Sequence, residues 1–259
     1  RVRADLVLPN SEDGYQYQYL QAESWEPAQS TLHYRNGEWY VHLGFRKPKQ
    51  QTEQETTENG TVLGVDLGVN QIAATSTARF FSAGELNHNR REFERTRSEL
   101  QQTGSRSSHR TLESLSGRER EYTKHVLHSV ANGIIEEANQ HDCDGIVFEQ
   151  LAEIRDRLPN AAWHSNWAFD RLYTYVEYKA EAEGLFVETT NPRNTSKRCA
   201  ECGFVDDSNR PTRETFECQH CGNRNHADYN AAKNVADMYL RRGQQSSRRR
   251  GVSQYALKS

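Results

Sequence analysis

Residues 199–234 read CAECGFVDDSNRPTRETFECQHCGNRNHADYNAAKN, and what this stretch joins decides the fold. It carries two Cys-x-x-Cys pairs, Cys199/Cys202 and Cys218/Cys221, with fifteen residues between them. Each such turn lets two thiolates point at one centre, and Gly203 and Gly222 supply permissive backbone just after each pair. The spacing matches a structural four-cysteine zinc site. Two redox dithiols or disulfides are the competing reading, but two evenly matched Cys-x-x-Cys-Gly units favour tetrahedral Zn²⁺. His220 and His226 lie nearby and could replace a thiolate, although the four cysteines already fill the shell. Seven residues after the last cysteine stands Asp228, at the mouth of a helix expected over 229–240. Taken alone, it reads as a helix cap.

Two other acids share its setting. In TVLGVDLGVNQIAAT (61–75), a buried-strand run over 62–65 leads into Asp66, then Gly68, then a second short strand over 71–75. An aspartate inside an apolar strand is costly unless it is paired or binds something. A third strand, 79–82, completes an antiparallel meander. GIVFE (145–149) repeats the grammar, an apolar strand ending in Glu149. It follows a helical stretch long enough for a crossover, which implies parallel pairing with the first sheet.

In the resulting β-β-β-α-β-α-β-α order, Asp66, Glu149 and Asp228 can converge at one edge of a sheet. Three carboxylates at one point repel unless cations intervene, and hard oxygen ligands select Mg²⁺ or Mn²⁺. Such a pair of ions stabilises both the attacking and the leaving oxygen of a phosphodiester displacement. Each acid alone also has a bland reading, a turn aspartate for Asp66 and a cap for Asp228.

The remaining chain is read more briefly. Residues 1–50 are β-rich, with strands expected at 3–8, 15–20, 31–34 and 38–45 and an Asn36-Gly37 hairpin signal between the last two. Residues 51–60 close a polar linker. Residues 87–141 are helical in pattern, broken at 104–108. The first half is basic through Arg90, Arg91, Arg95, Arg97, Arg106 and Arg110, either a solvated face or a track for a phosphate backbone. Tyr122, Val126, Val130 and Ile134 form a core-facing stripe in the second half. A helix over 166–184 turns Trp167, Leu172, Tyr175 and Val176 inward and stops at Gly184, before a last strand over 185–188. Residues 243–259 form a basic tail, and 241–250, with five arginines among Gly, Gln and Ser, is expected to be disordered and to touch nucleic acid.

Composition sets limits. The 259 residues include 33 Lys and Arg against 36 acids, a formal net charge of −3, and mean hydropathy is −0.98. No apolar run is long enough for a membrane span, and no signal peptide is visible. Four of the five cysteines belong to the two pairs, which suits metal ligation in a reducing cytoplasm. Cys143 is left as a small buried apolar residue. Arginine outnumbers lysine 26 to 7, and an acid-rich, lysine-poor chain is what a salt-adapted, halophile cytoplasm would select. Arginine is also the better phosphate ligand. Arg1 rather than Met opens the sequence, which suggests a piece of a longer protein.

GVDLGVN, GIVFEQL and TSKRCAECG…CQHCG…HADYNAAKN together resemble the three RuvC motifs and the zinc ribbon of the TnpB (OrfB-type) transposon proteins. These are RNA-guided DNA endonucleases related to the type V CRISPR effectors. The resemblance implies an RNase H-like (RuvC) mixed sheet with flanking helices, an inserted zinc ribbon and an N-terminal all-β wedge-like segment. Its nuclease domain would span 61–198, the ribbon 199–224 and the closing helix 225–242. It implies Asp66, Glu149 and Asp228 as catalytic, magnesium-binding acids and Cys199, Cys202, Cys218 and Cys221 as zinc ligands. Expected partners are target DNA and a guide RNA. The family's front portion, a recognition insert and the first wedge strands, has no counterpart in these residues. Two other readings stay open: a binding-only relative acting on DNA or RNA, and a transposase that joins strands itself.

Overall fold

The protein is described from a computed structural model covering residues 17, 20, 25–35, 37–46, 60–150, 163–191, 193–246 and 254–255. The chain divides into two compact units, Arg1–Glu55 and Thr56–Ser259.

In the first unit, β1 (Glu26–Arg35) pairs antiparallel with β2 (Glu38–Arg46), closing on Arg35 opposite Glu38. The two-residue turn needs left-handed backbone, and Gly37 supplies it at φ +87°. Strand alternation puts Leu32 and Tyr34 beside Val41 and Trp39 on one face, with His33 and His42 on the other. Strand 31–34 is therefore longer than its sequence signal. The expected strand 3–8 lies outside the described residues. Tyr17 and Leu20, the described residues of the expected strand 15–20, are helical, so that expectation is corrected there. The linker 51–60 lies outside the described residues except for Gly60.

The second unit is a mixed α/β fold. Its sheet runs β5 (Phe80–Ser82), β4 (Gln71–Thr75), β3 (Thr61–Leu67), β6 (Gly145–Glu149), β7 (Phe186–Thr190). The first three strands form an antiparallel meander; β3, β6 and β7 are parallel. Helices α1 (Gly84–Thr103) and α2 (Arg106–Gln140) cross from β5 to β6, and α3 (Trp163–Glu183) crosses from β6 to β7. The break between α1 and α2 is narrower than 104–108: Gly104 takes φ +61°, and the Ser105 hydroxyl accepts the Ser108 amide at 3.1 Å as an N-cap. Gly184 ends α3 at φ +83°.

Alternation along the strands sorts the core. Leu63, Val65, Ile146 and Phe148 face α2 and α3, where they meet Leu127, Ile134, Leu172 and Val176. All eight are fully buried, and truncating any of them to Ala would cost about 2–5 kcal/mol. Val62 and Val147 face the opposite way, against Val235 and Ala236 of α4 (Ala227–Ser246). Asp66 and Glu149 fall on this second face by the same period of two. The closing helix thus runs to Ser246, four residues past its expected end at 242. The stretch expected to be disordered, 241–250, is therefore helical as far as Ser246, and a two-residue strand, Gln254–Tyr255, pairs in parallel with Thr61 and Val62 of β3.

Candidate functional site

Helix α4 sits unusually close to the sheet, and that closeness sets the site. A Cβ added to Gly64 would lie 2.2 Å from the Ala232 carbonyl oxygen and 2.9 Å from the Ala236 Cβ. Only glycine on the strand and alanine on the helix permit this approach. Gly64 is two residues before Asp66 on the same face, and Ala232 is one helical turn after Asp228. The crossing therefore fixes where the Asp228 carboxyl stands relative to the end of β3.

The structure brings the three predicted acids together. Asp66 is the last residue but one of β3, Glu149 ends the parallel neighbour β6, and Asp228 lies in the first turn of α4. Enclosure, then the charges of Glu149 and Asp228, hold the Asp66 carboxyl well above the usual carboxylate range; the nearby Arg210 guanidinium partly offsets this, and a hydrogen bond with Glu149 adds to the rise. Glu149 is buried, and the Thr195 hydroxyl donates to its Oε2 at 3.4 Å. Asp228 Oδ1 receives Arg210 Nη2 at 3.3 Å, and its backbone N–H donates to His226 Nδ1 at 3.3 Å.

The four cysteines meet within 4.8 Å of one another; among the described residues no other set of metal-ligating side chains closes this tightly, the three carboxylates included. Cys199 Sγ stands 3.7 Å from Cys221 Sγ, and Cys202 Sγ 3.6 Å from Cys218 Sγ. Thiolates ~2.3 Å from a central Zn²⁺ form a tetrahedron with edges of roughly 3.8 Å, so the donors fit the ion. Each pair forms the same small turn: the Gly203 amide donates to the Cys199 carbonyl at 2.9 Å, and the Gly222 amide to the Cys218 carbonyl at 3.0 Å. Gly203 and Gly222 take φ +78° and +72°. Burial pushes the Cys218 thiol up, but hydrogen bonds from the Cys221 and His220 amides, with those of Cys202 and Cys221 thiols, bring it down to about 7. His220 instead stacks on Phe204, with ring centroids 5.5 Å apart.

The residues after Asp228 lock this ribbon to α4. Asn230 and Asn234 are fully buried. The Asn230 amide donates to the Arg198 carbonyl at 2.8 Å while its oxygen accepts the Ala200 amide at 3.0 Å. Asn234 Nδ2 bridges the Thr195 and Arg198 carbonyls at 2.8 and 2.7 Å. Lys233 pairs with Glu201, and Arg198 with Asp237 at 3.5 Å. The run Asp-Tyr-Asn-Ala-Ala-Lys-Asn is thus one device: an acid for the site, two small residues for the sheet, and two asparagines and a lysine for the ribbon. Sequence reading singled out Asp228 and missed Arg210 and Thr195. Arginine 26 times over carries no positional signal, and Thr195 was visible only as the start of the Thr-Ser-Lys-Arg-Cys run.

Residues 46–155 match the OrfB_IS605 family model, described as probable transposase, and residues 169–235 match the Cas12f1-like TNB domain. The chain is 31% identical over 215 residues to the CRISPR-associated endodeoxyribonuclease Cas12f1 of Sulfoacidibacillus thermotolerans, covering 78% of this chain and 50% of that protein. It is 28% identical over 249 residues to the Cas12f1 of Syntrophomonas palmitatica, covering 79% and 49%. A TnpB-like protein of Methanocaldococcus jannaschii is 33% identical over 115 residues, 42% of this chain and 40% of that protein. The chain therefore spans about half the length of the curated Cas12f1 relatives. The fold is shared with a cryo-EM structure of a Cas12f1–sgRNA–target DNA complex, at TM-score 0.60 and 17% identity over 81% of this chain and 56% of that one. Two family segments thus stand in order along one polypeptide, the first similar to OrfB_IS605 probable transposases and the second to the Cas12f1-like TNB domain.

Proposed function

We propose that the chain is the nuclease part of a TnpB-like DNA endonuclease, with a RuvC-type, RNase H-like core that acts on target DNA selected by a guide RNA. The observation that carries the reading is the convergence of Asp66, Glu149 and Asp228 on one sheet edge, close enough for Glu149 and Asp228 to raise the Asp66 carboxyl. Relatives named as endodeoxyribonucleases, and a shared fold with a Cas12f1 complex, support it. Mutually repelling oxygens of this kind are a hard donor set suited to Mg²⁺ or Mn²⁺, and four thiols at tetrahedral spacing suit a structural Zn²⁺.

Asp66, Glu149 and Asp228 would hold the catalytic ions, which supply charge stabilisation at the oxygens of a phosphodiester. Within that arrangement Thr195 orients Glu149 through its hydroxyl. Arg210 places a fixed positive charge beside Asp228, where it also favours the anionic phosphate. The α4–β3 crossing keeps the third acid in place without a flexible linker, because Ala232 and Gly64 are in backbone contact.

Cleavage of DNA by the purified chain with guide RNA and Mg²⁺, compared with Asp66→Ala, tests the reading directly; no cleavage above that control would sink it. A binding-only module is the second reading, favoured by the ion pair of Arg210 with Asp228. It requires that Mn²⁺ binding be the same in the native chain and in Asp66→Ala/Asp228→Ala.

A further inference from the structure

An arginine side chain has many rotamers, so the place of Arg210 beside Asp228 depends on how its backbone is held. The residue before it does the holding. Asn209 is fully buried, and its amide reaches three segments of the ribbon. Nδ2 donates to the Lys197 carbonyl at 2.9 Å and to the Phe204 carbonyl at 3.3 Å, one on either side of the Cys199/Cys202 turn. Oδ1 accepts the Gln219 amide at 2.9 Å, from inside the Cys218/Cys221 turn. One side chain thus ties both cysteine turns to the backbone that leads into Arg210.

The local chain supports the same placement. Asp206 Oδ1 accepts the Ser208 amide at 2.8 Å and caps a single 3₁₀ turn, Asp207–Asn209. The Asn209 amide N–H closes that turn on the Asp206 carbonyl at 3.2 Å. Beyond it, the Arg210 guanidinium bridges the Arg213 carbonyl at 2.6 Å and Asp228 Oδ1 at 3.3 Å. The Asn209 amide bonds only to backbone groups of the ribbon, and among the described residues it makes no hydrogen bond to the three acids. Asp66 and Glu149 are placed by their strands, and Asp228 by α4, which is locked to the ribbon through Asn230 and Asn234 instead.

We propose that Asn209 is a positioning residue for the carboxylate site: by pinning the Arg210 backbone to both cysteine turns, it keeps the guanidinium beside Asp228. The inference rests on the reading of Asp66, Glu149 and Asp228 as an ion site. Its consequence has a sign that a structural defect would not share. A guanidinium released from Asp228 competes less with a divalent cation for that carboxylate, so the ion binds more tightly. A ribbon that had merely lost its shape would shift Asp228 and weaken the ion.

Isothermal titration of the zinc-loaded full chain with Mn²⁺ tests this, with zinc per chain and melting temperature measured on the same samples. Asn209→Ala should bind Mn²⁺ about two- to threefold more tightly than the native chain, part of the roughly fivefold gain expected for Arg210→Ala, at an unchanged zinc content. Asn209→Ala/Arg210→Ala should match Arg210→Ala alone, because residues acting in series are not additive. Asn209→Ser leaves a hydroxyl in place of the amide and is the deciding variant if Asn209→Ala loses zinc. Unchanged or weaker Mn²⁺ binding in the zinc-retaining variant, or additive effects in the double variant, would overturn the proposal. Zinc loss in both Asn209 variants would overturn it too, by making Asn209 a brace of the ribbon as a whole. The ion-site reading is scored separately. If Mn²⁺ binding survives in Asp66→Ala/Asp228→Ala, that reading falls and takes this one with it; if binding is lost there but does not respond to Asn209, only the positioning role falls.

Discussion

Arg210 Nη2 lies 3.3 Å from Asp228 Oδ1, so a residue of the ribbon places its charge on an acid of the closing helix. The same guanidinium is held by the Arg213 carbonyl at 2.6 Å, within the ribbon itself. The four-cysteine ribbon thereby touches the carboxylate cluster directly as well as bracing the helix behind it.

Removing that charge should have two opposite effects. In Arg210→Ala the acids are left uncompensated, so the metal-free chain should melt lower, while Mn²⁺ should bind about fivefold more tightly because a competing cation is gone. Isothermal titration with Mn²⁺ and a melting curve on the same sample check both. Unchanged affinity would mean that Arg210 does not share the ion site.

The raised Asp66 carboxyl makes stability fall with pH when no divalent ion is present. A group whose folded-state pKa exceeds its unfolded value, 3.8 here, contributes stability that is complete below that value and is lost as pH rises through the folded pKa. Asp66→Asn should therefore melt above the native chain at neutral pH by roughly 2–4 °C, and the gap should narrow toward acid. Added Mg²⁺ should reverse the order. A gap independent of pH would show that repulsion among the three acids is not its source.

Gly64→Ala tests the close crossing. With a carbonyl oxygen 2.2 Å from the new Cβ, α4 must move outward, and overpacking of this kind costs about 1–3 kcal/mol. Chemical denaturation reads the loss, and Mn²⁺ binding should weaken with it because Asp228 moves with the helix. Asp66 and Glu149 remain in place, so weak residual binding is expected rather than none.

Zinc removal should be visible through thiol chemistry. A chelator that strips one zinc per chain should open the four ribbon thiols to reagent, with Cys218 the quickest because its thiol sits near pKa 7. Burial first, then neighbouring acids, push the Cys143 thiol up to about 12, so it should react only on unfolding. Cys218→Ser should bind less than one zinc and lower the melting temperature, since metal binding and folding of the ribbon are coupled. Full zinc content and unchanged melting in that variant would count against a four-thiolate site.

Much of this molecule is written in local pattern. Two Cys-x-x-Cys-Gly units, two apolar strands that each end in a carboxylate, the Asn-Gly turn and the glycine stops can all be read from a few consecutive residues. Their chemistry is local: which backbone angles glycine allows, how thiolates share an ion, and why an acid at a strand end is costly. That Asp66, Glu149 and Asp228 can converge at one edge of the sheet was an expectation drawn from the order of strands and helices. Tertiary structure decided the rest, because the partners are distant in sequence. Arg210 reaches Asp228 across 18 residues, Thr195 reaches Glu149 across 46, and Gly64 meets Ala232 across most of the second unit. It also decided which arginines are paired: composition counts them all alike, and only packing shows that Arg90, Arg95 and Arg97 meet Glu94, Glu92 and Glu119.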